Sequence, residues 1–262
     1  MAHRTLIFHF YFTPDWLSNE ANKIHFSCLN EFSAIFDKAI IVICSDSLSE
    51  NNKVEVVSFF TKIIHSNDIT YKFVKNTLYR EADTFYNNVA TKLGEIDGII
   101  FFGHNRGVGS IYYDGVSKSS ILKGVAVSYY ANLYAYAEDA EYSLTTEAGN
   151  KFYGVFLEKN ENKIANKNHI WYAGTFYWLN PVRVFRYLES TNKTIPHICD
   201  REYAESFPGD LFDWNSGSVL CSPYSRILFN CNLYHNSEEV IAYAIGEDKY
   251  DAFNDFFKKI TT

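Results

Sequence analysis

The first hundred residues alternate between short apolar runs and longer amphipathic stretches, and this alternation constrains the fold more than any other feature of the chain. TLIFHFY (5–11) is β-rich, and residues 18–36 place Ala21, Ile24, Cys28, Leu29 and Phe32 on one helical face behind Ser18 as a cap. KAIIVIC (38–44) is a continuously apolar strand of the kind buried on both faces of a parallel sheet. The pattern repeats as a helix over 53–65, a strand over 70–74, a helix over 81–93 and a strand over 98–102. Strands separated by helices of this length predict βαβ units and an α/β fold with a mainly parallel central sheet.

In such open sheets ligands bind beyond the carboxyl ends of the strands, so the residues that follow each strand come first as site candidates. After the strand at 98–102 comes GHNRGVGS (103–110), in which His104, Asn105 and Arg106 are bracketed by Gly103, Gly107 and Gly109. Glycines let backbone approach a ligand closely, and N–H groups beside an Arg or a protonated His neutralise a diphosphate. The stretch lacks both the GKS/T end of a phosphate-binding P-loop and the GxGxxG spacing of a dinucleotide site. A polar strand-to-loop turn with no ligand explains it equally well at this level.

The second half is less regular. A long Tyr- and Ala-rich helix is predicted over 117–137, a strand over 152–157, a polar KNENKIANKN run at 159–168 and an amphipathic helix over 237–260. HIWYAGTFYWLNPVRV (169–184) gathers aromatic rings around Gly174, and DREYAES (200–206) holds Asp200, Arg201 and Glu205. On a helix Arg201 and Glu205 stand four apart and face the same way, which suits either a general base held beside a cation or an ordinary surface ion pair.

Composition limits the partners. At 262 residues the chain buries a sizeable core without disulfides or metal, and no repeat or flexible linker divides it. A formal charge of -7 argues against general affinity for nucleic acid or anionic membrane. The five cysteines are odd in number, widely spaced and without a CxxC pair, which predicts a reducing cytoplasm rather than a disulfide framework. The opening MAHRTLIFHFYFTPDW is too interrupted for a membrane span. Aromatics reach 18%, which fits a sugar- or base-binding surface and fits an aromatic core just as well. The eight histidines show no metal-ligand spacing, and GxSxG and HExxH are absent.

At these two sites the sequence resembles the bacterial glycosyltransferases of capsule and lipopolysaccharide synthesis, which have a GT-A-like fold. IFHFYFTPDW through FDKAIIVICSD resembles their opening strand, helix and second strand, and LYREADTFYNNVATKLGEIDGIIFFGHNRGVG resembles their glutamate (here Glu81), helix and strand ending in a "His, Ser or Thr, Lys, Gly" signature. Here that signature reads His104, Asn105, Arg106, Gly107; arginine keeps the charge and adds a planar fork for phosphate oxygens. WYAGTFYWLNPVRV resembles a "Gly, Asn, Phe, Trp, Trp, Ala" wall through Gly174, Phe176 and Trp178, with Thr175 and Tyr177 differing, and Arg201 and Glu205 match an "Arg, three residues, Glu" feature.

The resemblance implies a single cytoplasmic domain whose first 110 or so residues hold the nucleotide and whose remainder holds the acceptor. It implies transfer of a sugar from a nucleotide-diphosphate donor to a hydroxyl of a glycan or lipid-linked glycan at a membrane surface, with no membrane-spanning segment. His104, Asn105, Arg106 and Gly107 would hold the diphosphate; Glu205 would be the base, with Asp200 second and Arg201 orienting it. Gly174, Thr175, Phe176, Tyr177 and Trp178 would face the sugar, although strand alternation should send about half of the rings of Tyr172, Phe176, Tyr177 and Trp178 into the core. GT-A enzymes usually carry an Asp-x-Asp metal site, and none is convincing here. Mg or Mn is therefore possible rather than required, with Asp46 and Asp114 as weak candidate ligands. The alternatives are a non-catalytic carbohydrate- or nucleotide-binding module of the same fold, and an unrelated hydrolase or phosphatase that uses His104.

Overall fold

The computed structural model describes residues 2–105, 118–146, 149–154, 157–160, 169–172, 176–198, 203–211, 220–221, 241–242 and 245–261, with backbone alone at 118–121, 157–160, 169–172, 205, 210 and 220–221. The predicted α/β fold with a mainly parallel central sheet is what these residues form. Four strands, β1 (Arg4–Tyr11), β2 (Lys38–Ser45), β3 (Asp68–Lys75) and β4 (Ile99–His104), run parallel in the order β3-β2-β1-β4. Beyond β4 lie β8 (Tyr177–Leu179), β5 (Phe152–Tyr153) and β9 (Leu220–Cys221), and of the seven strands β8 alone runs antiparallel. β6 (Leu157–Asn160) and β7 (His169–Tyr172) form a separate antiparallel pair.

Capping chemistry moves the helix ends from those expected. α1 (Glu20–Phe32) is capped one residue later than expected, because Asn19 Oδ1 rather than Ser18 accepts from the Ala21 and Asn22 N–H groups. Ser49 caps α2 (Glu50–Ile63), and α3 spans Glu81–Asn88. The long helix expected over 117–137 divides into α4 (Lys118–Tyr129), a π-helical stretch (Tyr130–Ala135) and α5 (Ala137–Thr146). Asn180 caps α6 (Pro181–Thr191) with Pro181 in its first turn, and α7 covers Tyr203–Leu211. Gly246, at φ 90, interrupts the predicted C-terminal helix ahead of α8 (Tyr250–Thr261).

The two faces of the sheet carry separate apolar layers. On one face Leu6, Phe8, Phe10, Phe101 and Trp178 pack with α1, α2, α4 and α8. On the other, Ile7, Ile100, Phe102, Phe152 and Tyr177 pack with α3, α6 and α7. This two-sided burial explains why the central strands carry runs of consecutive apolar residues rather than alternating with polar ones.

At the amino end of the sheet Arg4, 6% exposed, is clasped by α5. Its Nε donates to Glu141 at 2.7 Å and its Nη2 to Glu138 at 2.9 Å, so its charge is matched where it is buried.

Candidate functional site

The chain runs from β1 outward to β2 and β3, then returns to lay β4 on the other side of β1. Strand order therefore reverses between β1 and β4, which opens a crevice at their carboxyl ends. The parallel register sets His9 of β1 beside His104 of β4 there. Both are buried, at 2% and 9% exposure. His9 Nδ1 lies 2.8 Å from Thr84 Oγ1 on α3. Burial, then the neighbouring His104 and then Arg80, push the His9 imidazole down to about 3, so it is neutral at physiological pH.

Arg80 brings a cation to this edge. α3 follows β3 and so begins at the carboxyl end of the sheet, with Arg80 as its N-cap residue, four positions before Thr84. Arg80 has φ 48 and ψ -119, a conformation that suits glycine and costs a side-chain-bearing residue on the order of 1–3 kcal/mol. Its side chain is exposed, and among the described residues it makes no hydrogen bond or ion pair. Thr13 Oγ1, just past β1, is buried without a hydrogen-bond partner among the described residues. The edge thus offers two imidazoles, a free guanidinium and an unsatisfied hydroxyl, a set suited to an anionic, hydrogen-bonding ligand.

Asn105 does not fit its expected role as a diphosphate contact. Its Oδ1 accepts from the Tyr11 N–H at 2.7 Å, and its Nδ2 donates to the Tyr11 carbonyl at 2.9 Å and to Asn22 Oδ1 at 3.0 Å. Asn22 in turn donates to the Trp16 carbonyl at 3.0 Å. The carboxamide is therefore spent holding the end of β1 and the start of α1 to β4. It shapes the crevice, and both donor hydrogens of its Nδ2 are already engaged within the fold.

The aromatic wall is also corrected. Tyr177 and Trp178 are fully buried on opposite faces of β8, because that strand is interior, between β4 and β5. Tyr177 donates its hydroxyl to the Ala204 carbonyl at 2.7 Å, and Trp178 Nε1 donates to the Asn132 carbonyl at 3.0 Å in the π-helical stretch. Neither ring faces a sugar. Phe176, 1% exposed, is core as well, so all three rings described at this wall are buried where half were expected to be.

Phe176 nevertheless reaches the crevice. Its ring lies 5.8 Å from that of His104 at 25° and 6.4 Å from that of His25 at 18°. Gly103 makes this approach possible, since a Cβ there would come within 3.1 Å of Phe176 Cε1. His25, fully buried, holds its Nδ1 3.0 Å from the Tyr129 hydroxyl.

The remaining expected residues are only partly placed. Glu205 belongs to α7, which packs on the Tyr177 side of the sheet, away from Phe176 and Trp178. Tyr177 thus meets the backbone next to Glu205, while the other two rings lie across the sheet from it. Arg106, Gly107, Asp114, Gly174, Thr175, Asp200 and Arg201 lie outside the described residues. Glu81 opens α3, and Asp46 stands exposed just past β2, accepting from Asn76 Nδ2 at 3.5 Å. Among the described residues no three His, Cys, Asp or Glu side chains are grouped to hold a metal ion.

Sequence reasoning missed His9, Thr84 and Arg80. A histidine inside TLIFHFY is an available signal, because an uncapped polar ring in an apolar strand must find a buried partner. Arg80 gives no comparable sign in sequence.

No protein-family model and no curated protein matches the chain. Among solved structures it is similar to a crystal structure of 4-diphosphocytidyl-2C-methyl-D-erythritol synthase, with 11% identity over 97% of this chain and 99% of that one, at a TM-score of 0.36.

Proposed function

We propose that the chain is a glycosyltransferase that moves a sugar from a nucleotide-diphosphate donor to a hydroxyl of a glycan or lipid-linked glycan in bacterial surface-polysaccharide synthesis. The observation that carries this reading is the pairing of His9 and His104 under Arg80 at the strand-order switch. The bond from the acceptor oxygen to the anomeric carbon forms as the bond from that carbon to the phosphate oxygen breaks, and the electron pair leaves with the diphosphate. Positive charge must meet it there, and His104, Arg106 and Arg80 supply it, with Gly107 letting the backbone approach.

Glu205, or Asp200 in its place, takes the acceptor proton, with Arg201 orienting the carboxylate. Gly174 and Thr175 are what is left of the sugar-facing wall once its described rings are assigned to the core. Where a Mg or Mn ion accompanies the donor, Asp46, exposed just past β2, would offer it a carboxylate and the ion would help to neutralise the diphosphate. Among the described residues no helix is long and apolar enough to cross a membrane, which fits an enzyme that meets lipid-linked acceptors from the surface.

A second reading, a binding module without turnover, is favoured by the structural employment of Asn105, Tyr177 and Trp178. A panel of nucleotide sugars, assayed for binding by calorimetry and for transfer or hydrolysis by product release, separates the two. The transferase reading expects turnover with one donor, lost in Glu205→Gln while the donor still binds, and donor binding weakened in His104→Ala and Arg80→Ala. Binding without turnover in the parent supports the module, and no binding of any nucleotide sugar rejects both.

A further inference from the structure

We infer that the chain pairs with a second copy of itself through the outer edge of β3, joining two seven-stranded sheets into one. Among the described strands β3 has a neighbour on one side only, β2, so the hydrogen-bonding groups along its other edge have no strand to meet. It is eight residues long, as long as β1 and β2. An open edge of that length is a template for another strand unless the side chains forbid it. Here they favour one particular partner.

A two-fold axis normal to the sheet makes the added strand antiparallel and must set one residue opposite its own copy. With Tyr71 at the axis, Ile69 stands opposite the second copy's Phe73, and Phe73 opposite its Ile69. These six side chains lie on the α2 face, where Ile69 and Tyr71 already pack on the core and where the exposed Phe73 gains a β-branched partner. On the α3 face the same register brings Asp68 into diagonal reach of the second copy's Lys72, and the reverse, so opposite charges meet twice.

Neighbouring registers lose part of this match. An axis at Lys72 opposes two ammonium groups directly, and an axis at Thr70 sets Asp68 straight across from Lys72 but leaves the exposed Phe73 ring facing Asn67. The exposed apolar surface lies along the same edge: Phe73 and Val74 are each 40% exposed and Val54 of α2 is 70% exposed, with the Lys53 ammonium 5.5 Å from the centre of the Phe73 ring. Because the strands are antiparallel, the two β1/β4 crevices open toward opposite ends of the joined sheet and neither is covered.

Sedimentation equilibrium from about 1 to 100 µM tests the pairing. The expected result is a dimer in the parent and at least about a tenfold weaker association in Phe73→Lys, whose exposed position lets it fold, as circular dichroism checks. The register is tested separately by Tyr71→Cys, which should form a disulfide-linked dimer on mild oxidation, whereas Lys75→Cys and the parent should not. A parent that stays monomeric across that range, so that some other strand covers the edge, overturns the inference. So does a dimer that survives Phe73→Lys without the Tyr71→Cys crosslink.

Discussion

Replacing His9 with asparagine should remove a defined share of the protein's acid sensitivity. The folded imidazole is held down to about 3 by burial, by His104 and by Arg80, whereas in the unfolded chain it returns to its ordinary value of 6.5. Between those values the unfolded chain binds a proton that the folded chain does not, so stability rises with pH through the window and is lost as pH falls. From pH 7 to pH 5 the unfolded state gains about 2 kcal/mol from this proton, and by pH 4 about 3 kcal/mol. Against a typical total of about 5–15 kcal/mol that is readily measured. Asparagine keeps a polar atom near the position of Nδ1, toward Thr84 Oγ1, and cannot take up the proton. Urea unfolding followed by tryptophan fluorescence, with Trp16 and Trp178 buried, gives the stability of both proteins at pH 7 and pH 5. The other titrating groups are common to both, so the parent should lose about 2 kcal/mol more than the variant across that interval. Equal losses would show that His9 is not the buried neutral base described.

Three further substitutions test the crevice. Gly103→Ala should cost about 1–3 kcal/mol of stability in denaturant titrations, since its methyl group meets the Phe176 ring at 3.1 and 3.2 Å; an unchanged midpoint would mean that the ring moves freely. Asn105→Ala strands the Tyr11 N–H and the Asn22 carboxamide and should cost about 3 kcal/mol, with thermal unfolding as the readout, whereas a ligand contact of the kind first expected would leave stability intact. Arg80→Gly should raise stability by about 1 kcal/mol through relief of its positive φ, while weakening the binding of pyrophosphate, followed by calorimetry, about tenfold. A variant that loses stability and keeps the anion contradicts both parts.

The parallel half of the fold was legible because β1, β2 and β4 are buried on both faces and so appear as largely apolar runs between amphipathic helices, with the shorter β-rich run of the edge strand β3 in step with them. The site was harder for a physical reason. His104 was found because it ends such a run, but its partner His9 sits inside one, and Thr84, which receives it, is 75 positions further on. Asn105 looks like a ligand contact by position, and only the approach of Tyr11 and Asn22 reveals that its amide is already spent. The aromatic wall shows a third kind of limit. Alternation correctly sends Tyr177 and Trp178 to opposite faces, yet whether a face meets solvent depends on a β8 that lies between β4 and β5, and those neighbours come from 77 and 25 positions before Trp178.

The docking of α8 also sets an order of events during biosynthesis. Phe256 meets Phe32 of α1 at 5.0 Å, Phe253 meets Tyr130 at 5.3 Å, and Lys259 reaches Glu31 at 2.9 Å. The outer apolar stripe of the first helix therefore stays uncovered until residues Tyr250–Thr261 have left the ribosome, long after β1 to β4 have emerged. A nascent chain with its parallel strands assembled still leaves Phe32 and Tyr130 without their Phe253 and Phe256 partners until α8 docks.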